Sequence, residues 1–201
     1  MATNPNPTAL AGLPEGQLPE GNGHRLGDHF EPAPMLHPDV AELAPLLGEW
    51  SGAGHGSYPS IESFDYIETL RFEHVGKPFL IYAQRTRHAA DGRALHIESG
   101  YLRPAGTGRV ELVVAQPTGI VEVDEGSVDT AADGTLEIRL SSRSVGLTSS
   151  AKEVTAVGRT FRLHGGVLLI TMAMAATGHP LTHHLASELR RPEPAGKENP
   201  S

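Results

Sequence analysis

From Phe64 onward, apolar and polar side chains alternate in short runs, and each run ends at a turn. Phe64, Tyr66, Leu70 and Phe72 share one face of the first run; Asp65, Thr69, Arg71 and Glu73 share the other, with Ile67 out of step. A period of two is the signature of a half-buried strand. Comparable runs begin at Phe79, Leu95, Arg109, Gly119, Leu136, Lys152 and Val167. Asp91-Gly92, Ala105-Gly106, Asp133-Gly134 and Gly165-Gly166 supply the turns. Short strands joined this tightly predict an all-β, antiparallel sandwich or barrel.

The ends of the chain read differently. Pro5, Pro7, Pro14, Pro19, Pro32, Pro34 and Pro38 interrupt any regular element, and apolar residues are sparse. Residues 1–39 and 192–201 are therefore expected to be disordered tails around one domain, 40–191. The net charge of −8 opposes binding to phosphate backbones or to an anionic membrane surface. No apolar run is long enough to span a bilayer as a helix, and MATNPNPTAL has the marks of no secretory signal. The chain has no cysteine, which excludes disulfides, thiolate metal sites and CxxCH haem attachment. A cytoplasmic protein is the expectation.

Four features of the sequence invite chemistry. In GEWSGAGHGSYPSI, Gly48, Trp50, Gly52, Gly54, Gly56 and Tyr58 recur at every second position. A strand face of glycines leaves bare backbone that something else can approach; a bend packed by Trp50 satisfies the pattern equally. In LTHHLASELRR the leucines at 181, 185 and 189 suggest a helix entered at Pro180. On that helix His184 lies at the edge of the buried face, and His183 lies nearly opposite it. A neutral imidazole at 184 can ligate iron or zinc, or simply bond a carbonyl. His96 sits within a strand, and Met172 and Met174 share one strand face, where core filling is the plain reading. HExxH and GxSxG motifs are absent, and Asp124-Glu125 reads as a solvated pair beside a turn.

In combination these segments resemble the nitrobindins, a family of small haem-binding β-barrels. GEWSGAGHGSYPSI is similar to the family signature GxWxGxGxGxYPTI, with Ser60 where threonine is usual. HIESGYLRP and VVAQPTGIVEV resemble its middle strands, and MAMAATGHPLTHHLASELRR resembles its C-terminal strand and helix. The resemblance covers roughly residues 40 to 191.

It implies a ten-stranded antiparallel up-and-down barrel, lipocalin- or fatty-acid-binding-protein-like, with a short C-terminal helix and one haem b per chain. His184 would be the axial ligand of the iron and His96 a distal residue. Lys152 would pair with a propionate and Met174 would line the pocket. Gly48, Trp50, Gly52, Gly54 and Ser60 of the signature would contribute to cofactor binding. The implied activity is isomerisation of peroxynitrite to nitrate on ferric iron, with nitric oxide as a further ligand and a homodimer as an option. A nitric oxide carrier or sensor would use the same residues; a lipocalin-like carrier of an apolar ligand would need neither His184 nor Lys152.

Overall fold

The structure, a computed structural model, describes residues 34–193. Ten antiparallel strands close into a barrel in the order β1-β10-β9-β8-β7-β6-β5-β4-β3-β2. The glycine-rich segment is β1 (Gly48–Tyr58). The alternating runs become β2 (Ile61–Glu73), β3 (Leu80–His88), β4 (Ala94–Pro104), β5 (Arg109–Gln116), β6 (Ile120–Thr130), β7 (Leu136–Leu147), β8 (Val154–His164) and β9 (Val167–Ala176). Gly92, Gly106, Gly134, Gly165 and Gly166 all have positive φ, as their turns require. No helix among the described residues is long and apolar enough to cross a membrane.

The expected C-terminal helix is instead a strand, β10 (Thr182–Arg190), paired with both β1 and β9. Leucines four residues apart share a helix face, but four is also an even number, so they share a strand face too. Barrel closure decides between the two. Without β10, β1 and β9 would each expose an unpaired edge.

The one helical element among the described residues stands at the other end of the chain. A 3-10 helix, Pro38–Leu46, begins at a proline that the sequence suggested would break structure. Proline suits the first helical position, where its missing N–H is not needed. The Asp39 N–H donates to His37 Nδ1 at 3.2 Å and caps this start. Of the residues expected to form the tails, 1–33 and 194–201 lie outside the described residues.

The barrel interior has three levels. At one end Val40, Leu43 and Leu46 of the 3-10 helix pack onto Leu70, Phe72, Leu80, Leu102 and Leu112, and close that end. Trp50 belongs here: it is 1% exposed, and its indole N–H donates to the Leu46 carbonyl at 2.7 Å. The Arg191 guanidinium lies 4.3 Å from the centre of its ring.

The middle level is polar. Arg159 is buried, and its guanidinium donates to both oxygens of Glu98 at 2.8 Å and to Glu122 at 2.8 Å. Asp124 lies 3.7 Å from its Nε. Nearby, Glu68 accepts from Gln84 at 3.3 Å and from Ser187 at 2.6 Å. Asp124, read from the sequence as solvated beside a turn, is 1% exposed within β6. Neither of its oxygens has a hydrogen-bond partner among the described residues. In β6 the acids Glu122 and Asp124 turn inward while Val121 and Val123 face out, the reverse of what hydrophobic alternation predicts.

One guanidinium cannot neutralise four carboxylates, and burying an unpaired charge is costly. Burial alone would raise Glu98, but the Arg159 charge and the hydrogen bonds from His96 and Arg159 outweigh it and hold this carboxyl well below its usual range. Burial dominates at the others. Glu68 and Glu122 are raised, and Asp124 is pushed up to about 7 by burial and by the neighbouring Glu122 charge.

Two outcomes are expected from this interior. Trp50→Ala removes the plug's main partner and should cost ~3–5 kcal/mol, a large share of the ~5–15 kcal/mol typical of a domain. Urea unfolding of the variant checks this; a wild-type midpoint would mean that the closed end does not depend on the indole. The second outcome concerns pH. Asp124 in the fold binds a proton that it gives up in the unfolded chain above its ordinary value of 3.8. Its contribution to stability is therefore complete below that value and is lost as pH rises to about 7. Asp124→Asn keeps the neutral form at every pH. The variant should be more stable than wild type at pH 8 by roughly 2–4 kcal/mol, and the two should converge near pH 4. Melting curves across that range read the difference, and parallel curves would contradict it.

Candidate functional site

Above the polar level the barrel opens into a cavity of about 940 Å³. This lies within the range of small-molecule sites. Its floor is the polar level: Glu68, Gln84, Glu98, Glu122 and Arg159 all line it. Its walls nearer the mouth are apolar, with Phe64, Ile120, Val157, Met172 and Met174 among them. A ligand with a broad apolar body and a polar edge suits such a vessel.

His184 is placed by a local irregularity in β10. Leu189, Ser187 and Leu185 pair with Gly52, Gly54 and Gly56 of β1. Of the three, Ser187 and Leu185 line the cavity, and Leu189 is buried in the closed-end core. Strict alternation would next turn His183 inward. A β-bulge intervenes: His183 pairs with Ala173 and Leu185 with Met172, so His184 has no partner on β9. A bulge re-aims the side chain that it carries. Here His184 lines the cavity and His183 is exposed.

The His184 ring is fixed on several sides. Nδ1 lies 3.1 Å from the Ser57 carbonyl, which can only accept, so this nitrogen carries the hydrogen. Nε2 keeps its lone pair and makes no hydrogen bond to the described residues. Tyr58 packs edge-on at 5.4 Å between ring centres, and Phe64 at 6.5 Å. The Tyr58 hydroxyl is itself anchored, accepting from the Ala176 N–H at 3.0 Å. Burial favours the neutral ring and holds the His184 pKa below its usual value, against the opposing pull of the hydrogen bond to the Ser57 carbonyl.

The cavity gathers several residues singled out in the sequence and leaves out others. His96, Lys152, Met174, His184 and Ser60 line it, with Lys152 and Ser60 exposed at the rim. Gly48, Trp50, Gly52 and Gly54 do not line it. Gly54 lies opposite Tyr66 and Gly56 opposite Phe64, and these aromatic rings lie so close over them that a Cβ would collide. At Gly52 a Cβ would meet the Glu188 carbonyl of β10. The bare backbone thus admits protein groups: two rings and a neighbouring strand. Trp50 packs the closed end.

Sequence reasoning passed over Tyr58's contact with His184, the Ser57 carbonyl, Phe64, and the buried set around Arg159. The last had a readable signal. Glu68, Gln84, Glu98, Glu122 and Arg159 each fall on the inward parity of their strands, where apolar residues are expected.

Residues 39–191 match the model of the THAP4-like, heme-binding beta-barrel domain. A protein named peroxynitrite isomerase from Nocardia farcinica is 56% identical over 161 residues, covering 80% of this chain and 95% of that protein. Peroxynitrite isomerase 2 of Mycobacterium avium is 56% identical over 156 residues, covering 78% of this chain and 96% of that one. The crystal structure of Rv2717c from M. tuberculosis superposes with a TM-score of 0.77 at 48% identity, covering 79% of this chain and 100% of that one. Barrel, cavity and sequence agree: this chain belongs to the THAP4-like haem-binding β-barrel family, the nitrobindins.

Proposed function

We propose that this chain is a haem-dependent peroxynitrite isomerase, with one haem b per chain in the mouth of the barrel and His184 as the axial ligand. The observation that carries the reading is the 3.1 Å contact from His184 Nδ1 to the Ser57 carbonyl. Histidines that ligate a metal almost always give their other N–H to such an acceptor, which sets the tautomer and the ring orientation. The remaining residues fit the group. Met172, Met174, Ile120, Val157 and Phe64 match the apolar body of a macrocycle, and Lys152 at the rim suits a propionate.

When bound, ferric haem supplies a Lewis acid for the peroxynitrite oxygen. The chain's own part is to hold the axial imidazole neutral and fixed, to wall the reacting volume with apolar side chains, and to leave one open mouth. Nitric oxide, a small ligand of haem iron, would use the same position. A carrier of plain apolar ligands would have no use for a ring held at both Nδ1 and its edges, and this favours the haem reading. The segments 1–39 and 192–201 take no part in haem binding on this reading. Lacking cysteine, the chain loses nothing in a reducing compartment, in keeping with a cytoplasmic setting.

A hemin titration followed by absorbance tests the assignment, with nitrate yield from peroxynitrite measured on the same samples. His184→Ala should lose the Soret band of tightly bound haem and with it the nitrate yield. His183→Ala should keep both. Lys152→Ala should weaken haem retention by a few-fold at most, since an exposed ion pair contributes ~0–1 kcal/mol. A wild-type spectrum and full activity in His184→Ala would overturn the reading.

The assembly proposed is a homodimer. Tyr101, Val113 and Val123 are neighbours across β4, β5 and β6 and are 52%, 43% and 38% exposed, with Val121 beside them at 50%. A contiguous apolar patch on the outside of a barrel supports contact with a second copy. Light scattering should give a dimer for the wild type and a monomer for Val113→Glu. A monomeric wild type would remove this part of the proposal.

A further inference from the structure

His96 and Glu98 stand two apart on β4, so both point inward. His96 lines the cavity, and its Nε2 lies 3.1 Å from Glu98 Oε1. Other groups also grip Glu98. The Tyr82 hydroxyl donates to Oε2 at 2.7 Å, Arg159 donates to each oxygen at 2.8 Å, and Gln116 reaches Oε1 at 3.5 Å. Every one of these groups is acting as a donor. A carboxyl receiving that many donors beside a guanidinium is ionised and has no hydrogen of its own to give. The hydrogen between His96 and Glu98 must therefore sit on His96 Nε2.

We propose that Glu98, clamped by Arg159, Tyr82 and Gln116, is a positioning residue that locks His96 in the Nε2–H tautomer, so that the neutral ring meets a cavity ligand as a proton acceptor through Nδ1. The tautomer follows from the protein alone; its consequence for a ligand rests on the haem reading above. A neutral ring with Nδ1 unprotonated cannot donate a hydrogen bond to an oxyanion. It can accept one from water, from a hydroperoxide or from the protonated form of peroxynitrite. Of the two forms of that substrate, His96 so held selects the acid. Other groups facing this part of the cavity do not compete for the assignment. Thr86 lies opposite His96 on β3, Glu122 is held by Arg159 and Gln116, and His184 is held by Ser57.

The test is a two-bond proton–nitrogen correlation spectrum of the haem-free protein, labelled at histidine. It is taken at about pH 8.5, where an imidazole of reference pKa ~6.5 is neutral. His96→Gln, by removing one set of signals, identifies the residue. The wild type is expected to show His96 as Nε2–H; Nδ1–H or an even mixture would overturn the proposal. In Glu98→Gln, Arg159 should claim the amide oxygen and turn the NH2 toward His96, which reverses the tautomer to Nδ1–H. An unchanged Nε2–H there would show that Glu98 does not set it. The wild-type spectrum decides the tautomer even if that variant folds poorly. Tyr82→Phe leaves the Glu98 charge and the Arg159 clamp in place and should keep Nε2–H; a reversal there would take the choice away from the carboxylate charge. Haem-loaded Glu98→Gln should retain its Soret band and lose about tenfold in nitrate-forming kcat, less than the ~10²–10⁴-fold of a full general base because the ring only accepts a hydrogen bond. If wild type fails to take up hemin, the haem reading falls and the tautomer result stands.

Discussion

Pairing of the first strand with the last is the constraint on which the rest of the molecule hangs. A barrel has no edge only if β1 and β10 meet, and they meet along Gly52, Gly54 and Gly56. Side chains at these positions would collide with the Glu188 carbonyl, the Tyr66 ring and the Phe64 ring. Removing them lets β10 close the wall and lets the two rings turn across it. Phe64 then stands against His184. The same seam supplies the Ser57 carbonyl that orients the histidine. One run of glycines thus closes the sheet and presents His184 to the cavity, although only one of the four, Gly48, has the positive φ that favours glycine.

The polar level below the mouth works by asymmetry of charge. Arg159 is shared among carboxyls that it cannot all satisfy, and their protons are distributed accordingly. Glu98, gripped on both oxygens, keeps its charge; Asp124, with no hydrogen-bond partner among the described residues, keeps its proton more readily. Such a set is poor evidence of stabilisation, because desolvation consumes most of the attraction. What it provides is fixed polarity at the base of a cavity whose walls are otherwise apolar.

Much of this was legible in the sequence, and the failures have physical reasons. Period-two alternation locates β2 through β9, and Gly92, Gly106, Gly134 and Gly165 mark four of the seven turns between them. LTHHLASELRR misled because leucines at 185 and 189 satisfy a helix and a strand alike, and only the need for a tenth strand separates the readings. His184 was preferred to His183 on helical geometry, yet the structure turns it inward by a bulge, which no periodicity foretells. Pro38 looks like a breaker in the sequence and starts a 3-10 helix in the fold. Asp124 was read as solvated because the direction of a charged side chain depends on register, and register is invisible until the strands pair. His96 and Glu98 stood in plain view as H-x-E, but their linkage needed Arg159 from β8, 61 residues away.

The plug formed by Val40, Leu43, Leu46 and Trp50 makes the barrel a dead-end vessel rather than a conduit. Whatever enters must leave by the doorway it came through, past Ser60 and Lys152. Traffic in such a vessel is strictly alternating: a product still on the threshold bars the next arrival. For a reaction on a small, short-lived substrate, the pace of repeated use would then depend on how quickly the doorway clears, and the rim would bear on turnover without touching the bonds that change.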